Sequence, residues 1–185
     1  NIDSSMEKIV KILEKEPENI SALHLKAQIY LVKKNYKKAG SVYEQILNSD
    51  TNNIGALQNL AKIKEFENKS DEAENLLLKA LKIDGQNLNV YSALAGFYIK
   101  HKAFKKAESQ LKDAIAKNPA NEKAHILLGG YYYSQKKYGL AEKAYQKAID
   151  TGNNAVKSHM IIANFYNRIQ KFEKALDSYQ KASAL

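Results

Sequence analysis

Cysteine is missing from all 185 residues. That removes disulfides, thiolate metal sites and a cysteine nucleophile, and leaves the redox compartment open. Arginine is nearly missing: Arg168 stands alone among 29 basic residues, the rest being lysines. Arginine is the usual reader of base edges, so the net charge of +9 is read as a lysine-rich, solubilising surface. Nucleic acid is therefore the weaker expectation for a partner, with RNA in a basic groove as its specific form. No apolar run approaches the roughly 18 residues of a membrane span, and Asn1–Pro17 is too amphipathic and charged for a signal peptide. The expectation is a soluble chain, cytoplasmic or periplasmic and envelope-associated. The first residue is Asn rather than Met, which predicts a cut or processed form.

Proline occurs only at Pro17 and Pro119, both where a helix would be ending. Strand-like alternation is absent, and the apolar residues keep helical spacing. They also keep a longer period. Steps of 34 from Ala27 meet Ala61, Ala95, Gly129 and Ala163; from Ala39 they meet Ala73, Ala107, Ala141 and Ala175. A third ladder runs Ile46, Ala80, Ala114, Ala148, Ala182, and a fourth Tyr30, Lys64, Tyr98, Tyr132, Tyr166. Four ladders in phase without insertions mark a repeat array. Each unit carries two amphipathic segments, in the third unit roughly Asn89–His101 and Lys105–Lys117, and breakers at Asp50–Asn53, Asp84–Asn87, Asn118–Asn121 and Thr151–Asn154 separate the units.

A helix–turn–helix of this length, with small residues at positions 8, 20 and 27 and aromatics at 4, 11, 17 and 24, resembles the tetratricopeptide repeat (TPR) family. The fourth unit matches best, through His125, Leu128, Gly129, Tyr132, Tyr138, Ala141, Tyr145 and Ala148. The resemblance implies an all-α solenoid of antiparallel helix pairs wound as a right-handed superhelix. Its repeats would be Ile20–Asn53, Ile54–Asn87, Leu88–Asn121, Glu122–Ala155 and Val156–Leu185, in one continuous domain. Ser5, Ile9, Ile12 and Pro17 fall in register upstream, so residues 1–19 are expected to hold the second helix of a preceding repeat. In this register Gly129 lets the two helices of its hairpin approach.

Stacked hairpins bury a common core that no single one could bury alone. The second unit is irregular: Lys64 and Ser70 stand where the others have aromatics. Leu57–Asp84 is therefore expected to be the least protected internal segment. No polar capping helix follows Ser183-Ala184-Leu185, and the expectation is apolar surface there, covered by further protein or by self-association.

No catalytic constellation emerges. His24, His101, His125 and His159 include no pair at the i, i+4 spacing of a helical zinc site. Glu72, Glu74, Glu108 and Glu142 sit among lysines and glutamines, as on solvated faces. Gly129-Gly130 lacks the context of a phosphate loop. The expectation is no enzyme, no cofactor and no metal.

The resemblance implies instead that positions 2, 5, 9, 12 and 13 of each first helix line a concave groove for a partner segment. Of these positions, the chief candidates are Gln28, Gln58, Lys62, Phe66, Gly96, Ile99, Lys100, Lys123, Ile126, Gly130, Tyr133, Lys157, Met160, Asn164, Asn167 and Arg168. Tyr133 is the one tyrosine without a packing role in the register. Gly96 and Gly130 are expected to leave a depression walled by Ile99, Ile126 and Tyr133. Lys62, Lys100, Lys123, Lys157 and Arg168 outweigh Glu65, so the expected partner is an acidic protein or peptide segment with an apolar anchor. The set that holds chaperone C-terminal carboxylates in this family does not recur: Asn59 matches its middle element, but His24, Gln28, Asn89 and Ala93 do not match the rest. The chain is thus read as a protein-interaction scaffold, similar to arrays in bacterial envelope and assembly proteins. The alternative is a recruiting arm of a larger enzyme.

Overall fold

The computed structural model describes residues 2–152 and 155–184. Asn1, Asn153, Asn154, Leu185 and the side chain of Ala155 lie outside this description. So do the far edge of the Thr151–Asn154 breaker and the terminal residue of the expected fifth repeat. Every regular element among the described residues is a helix: α1 (Ile2–Lys15), α2 (Ile20–Val32), α3 (Tyr36–Ser49), α4 (Ile54–Phe66), α5 (Ser70–Ile83), α6 (Leu88–Lys100), α7 (Phe104–Lys117), α8 (Glu122–Ser134), α9 (Tyr138–Thr151), α10 (Ala155–Arg168) and α11 (Phe172–Ser183). They gather in two compact blocks, α1–α5 ending at Gly85 and α6–α11 beginning at Gln86.

The starts of the first helices are set by asparagine. Asn19, Asn53, Asn87 and Asn121 are N-caps, each with a side-chain oxygen accepting a backbone N–H of the first turn. This satisfies a donor that the helix itself leaves orphaned. Asn53, Asn87 and Asn121 are also the last residues of three of the breakers in the sequence.

The turn inside each hairpin is equally regular. Lys34, Asn68, Lys102, Lys136 and Gln170, again 34 apart, hold φ between 56° and 61°. The next residue's N–H reaches five residues back, as from Asn35 to the Tyr30 carbonyl at 2.8 Å and from Lys137 to Tyr132 at 2.9 Å. This is the Schellman stop, in which one left-handed residue ties off the last turn. Glycine occupies none of the five positions, so composition gave no sign of it.

Within each block a second helix packs on its own first helix and on the first helix of the next hairpin: α3 on α2 and α4, α7 on α6 and α8, α9 on α8 and α10. The alanine ladders fill the crossings, with Ala27, Ala39, Ala73, Ala107, Ala141, Ala163 and Ala175 buried. Leu23, Tyr43, Ile46 and Leu60 complete the core of the first block.

A polar lattice reinforces these contacts. The Tyr132 hydroxyl donates to Glu108 at 2.9 Å, and the Lys112 ammonium reaches the same carboxylate at 2.7 Å. One hairpin later Tyr166 donates to Glu142 at 2.9 Å, with Lys174 at 2.7 Å from that carboxylate and 5.3 Å from the Tyr166 ring. The hydrogen bond from lysine holds both carboxyls below the usual range. In the second hairpin the scheme is charge-swapped. Lys64 takes the tyrosine's place, only 15% exposed, between Glu44 at 3.1 Å and Glu72 at 3.4 Å. Glu72 occupies the register of Lys38, Lys106 and Lys174. What reads in sequence as a lost anchor is a substituted one.

Candidate functional site

The groove candidates are solvent-accessible to differing degrees, and none is buried. In the first block Gln28, Lys62 and Phe66 are exposed and Gln58 is half-buried. Phe66 is 65% exposed, yet it is engaged: its ring stacks on Tyr36 at 4.5 Å with 23° between planes. His24 donates through Nε2 to Asn53 Oδ1 at 3.1 Å and meets the Tyr43 ring edge-on. It therefore braces the junction of two hairpins.

In the second block Gly96, Lys100, Lys123, Lys157, Met160, Asn164, Asn167 and Arg168 are exposed, while Ile99, Ile126, Gly130 and Tyr133 are half-buried. A Cβ built on Gly96 would meet nothing within 4 Å. Tyr133 faces the hairpin that follows it. Its ring lies edge-on to Phe165 at 6.1 Å and tilted against Tyr138 at 6.0 Å. The cavity it lines lies toward the following hairpin. This pocket of about 210 Å³ is bounded by Tyr133, Tyr145, Ile161, Asn164, Phe165 and Arg168. Tyr133, near the end of α8, thus leans over α10.

Two glycines shape this pocket. On Gly129 a Cβ would stand 2.6, 2.7 and 2.9 Å from three carbons of the Tyr145 ring. Gly129 therefore admits a ring. On Gly130 a Cβ would touch the Tyr145 hydroxyl at 3.8 Å. The Tyr145 ring slides over both residues and packs on Phe165 at 5.2 Å. Phe165 forms a buried aromatic floor.

Of the pocket's polar groups, the Asn164 amide oxygen accepts from the Tyr179 hydroxyl at 2.8 Å and the others are uncommitted. Among the described residues neither Tyr133 nor Tyr145 makes a hydrogen bond through its hydroxyl, and Arg168 makes no ion pair. Burial pushes the Tyr145 phenol up, partly offset by the Arg168 guanidinium, so it is a neutral donor at pH 7. An aromatic floor, two free phenols, an amide and a guanidinium suit an apolar side chain with an acceptor or carboxylate beside it. Tyr145, Ile161 and Phe165 stand at positions 24, 6 and 10 of their units, outside the register from which the groove candidates were drawn. The succession Gly129-Gly130 beneath a tyrosine was the available signal.

Among the described residues no three His, Asp or Glu side chains gather in a way that could hold a metal ion. None of their helices is long and apolar enough to cross a membrane.

Two family models, both described as tetratricopeptide repeat, match this chain, one at residues 67–129 and the other at 20–53 and 122–151. The chain belongs to the tetratricopeptide repeat family. Solved structures agree on the fold. MamA is 23% identical at a TM-score of 0.59, the match covering 85% of this chain and 92% of that one. YrrB, a TPR protein with an unusual peptide-binding site, is 19% identical at 0.58, covering 96% and 91%. A tetratricopeptide repeat protein from Parabacteroides merdae is 15% identical at 0.70, covering 99% and 72%. No curated protein matches. TPR chains are in general protein–protein interaction scaffolds, typically without catalysis of their own.

Proposed function

We propose that this TPR chain is a non-enzymatic interaction module that holds a partner's peptide or helix along its first helices. One apolar or aromatic side chain of the partner enters the pocket over Phe165, and a neighbouring carboxylate pairs with Arg168. The observation that carries this reading is the convergence of uncommitted groups, the Tyr133 and Tyr145 hydroxyls and the Arg168 guanidinium, on one aromatic-floored cavity. Tyrosine and arginine in a partly enclosed pocket are the residue types that dominate binding energy at interfaces. Lys123 and Lys157, both exposed, lie on the first helices that flank the pocket and would steer an acidic segment toward it. The peptide-binding site of YrrB supports a peptide as the class of ligand.

The test is affinity capture followed by titration of the captured partner against variants. Tyr133→Ala and Arg168→Gln should each weaken binding by roughly tenfold or more, as hot-spot truncations do. The Arg168→Gln effect should shrink as salt rises. A partner whose affinity neither substitution changes would refute the placement.

A further inference from the structure

A second cavity shares no residue with the first. About 300 Å³ in volume, it opens between α7 and α9 over α8. That is the lower end of the range for ligand pockets, roughly 300–1,000 Å³, and enough for one large side chain. His125, Leu128 and Tyr132 form its floor, Ile115 and Leu140 its walls, and Lys112, Lys143 and Lys147 its rim.

The polar atoms of the floor are already engaged. His125 Nε2 donates to the Pro119 carbonyl at 2.8 Å, and the Tyr132 hydroxyl donates to Glu108. What remains toward the opening is carbon surface ringed by ammonium groups, with no carboxylate in the lining. Lys112 is paired with Glu108 at 2.7 Å and Lys147 loosely with Asp150 at 3.8 Å. Lys143 makes no ion pair among the described residues.

The repeat supplies an internal comparison. All nine lining positions recur 34 residues later around a smaller cavity of about 190 Å³ between α9 and α11, formed by Gln146, Ile149, His159, Ile162, Tyr166, Lys174, Asp177, Ser178 and Lys181. There the rim is satisfied from within: Lys181 pairs with Asp177 at 2.8 Å and Lys174 with Glu142 at 2.7 Å. In the first cavity leucine replaces that Lys174 and lysine replaces that Asp177. One slot of the fold is thus closed by its own charges in one hairpin and left apolar and cationic in another. Leu140 leaves 43% of its surface exposed at this opening.

We infer that the cavity between α7 and α9 is a second docking site, for a partner peptide segment with one large aliphatic or aromatic side chain flanked by carboxylates. The side chain fills the space between Leu140 and Leu128, and the carboxylates meet Lys143 and Lys147.

The test uses the full 185-residue chain, labelled with nitrogen-15. The probes are three capped peptides: Glu-Glu-Leu-Glu-Glu, the same with Ala for Leu, and Lys-Lys-Leu-Lys-Lys. The leucine–glutamate peptide should saturate, at about 1 mM or below, with shifts at the amides of Leu140, Lys143 and Ala144. The alanine peptide should bind roughly 10- to 100-fold more weakly, the order of one buried leucine, and the lysine peptide should not bind. Leu140→Lys with Lys143→Asp, which copies the later hairpin's rim, should abolish the shifts. Lys143→Glu alone should weaken them severalfold, and Arg168→Gln should leave them intact. All these positions are exposed, and unchanged circular dichroism shows the fold retained. Absent saturation, equal binding of the alanine peptide, or shifts confined to Tyr133 and Arg168 overturns the assignment. So does binding to phosphatidylserine vesicles that depends on Lys143 while the leucine–glutamate peptide fails to compete.

Discussion

Gly129→Ala and Gly96→Ala are the same substitution at mid-helix sites in neighbouring hairpins, and they should move stability in opposite directions. Alanine gains about 1 kcal/mol over glycine from helix propensity alone. At Gly96 nothing lies within 4 Å of the new methyl group, so the gain survives and the variant should be about 0.5–1 kcal/mol more stable. At Gly129 the methyl would lie 2.6–2.9 Å from three ring carbons of Tyr145. Ordinary carbon contacts need about 3.5 Å or more, so ring or backbone must retreat by most of an ångström. The ring is buried and packed on Phe165 at 5.2 Å. Overpacking of this kind costs about 1–3 kcal/mol, leaving a net loss of up to about 2 kcal/mol. Thermal unfolding followed by circular dichroism separates the two variants, since 1 kcal/mol moves Tm by about 2–4 °C in a chain of this size. Tyr145→Leu should rescue Gly129→Ala, because the coupling lies in the ring. The comparison is pointed, because Ala27, Ala61, Ala95 and Ala163 occupy the equivalent site in the other hairpins. Judged by sequence alone, alanine at 129 would be an improvement. If Gly129→Ala melts at or above the parent, the Tyr145 ring is free to turn aside, and the account of the pocket's shape fails with it.

The packing sets further outcomes. Tyr132→Phe and Tyr166→Phe each lose a hydrogen bond to a carboxylate at 2.9 Å and should cost about 1–2 kcal/mol in urea unfolding. Tyr43→Phe should be neutral or stabilising, because the buried Tyr43 hydroxyl has no partner. For the swapped lattice, Glu72→Lys alone should destabilise by placing a like charge beside half-buried Lys64. Combined with Lys64→Tyr it should recover the loss, and a double-mutant cycle with no coupling would refute the pairing. Hydrogen exchange on the same variants reads out whether Leu57–Asp84 is the least protected internal segment. The pH profile should fall at both ends. Glu108 and Glu142 have depressed folded pKa values, so their contribution is present above the unfolded value near 4.3 and lost as pH falls below it. Tyr132, Tyr145 and Tyr166 are raised by burial, so their contribution holds below about 10 and is lost as pH rises further. Tyrosinate absorbance that titrates fully before the helices unfold would contradict this.

Much of the architecture was legible because a period of fixed length carries backbone information. Asparagine at 19, 53, 87 and 121 starts helices through a local side-chain contact. The alanine ladders set where helices cross, and each acts within its own turn or its nearest neighbour. The third hairpin was read to within a residue on this basis, at Asn89–His101 against Leu88–Lys100 and at Lys105–Lys117 against Phe104–Lys117. The turn residues were less legible. Lysine and glutamine adopt positive φ at 34, 102, 136 and 170 because the hydrogen bonds of the stop, not residue preference, impose it. Lys64 looks in sequence like a lost aromatic because its two carboxylate partners, Glu44 and Glu72, lie on α3 and α5.

Sequence thus determined the helices, their pairing and the residues available to solvent on the first helices. Tertiary structure decided what each side chain does there. One register position holds three tyrosines: Tyr43 is buried with an unpartnered hydroxyl, Tyr145 turns across two glycines into a pocket, and Tyr179 donates to Asn164 at 2.8 Å. Periodicity fixes where a Cα lies, but a side chain's direction depends on its rotamer and on the volume its neighbours leave open. Those neighbours come from other helices, and no single repeat unit contains them.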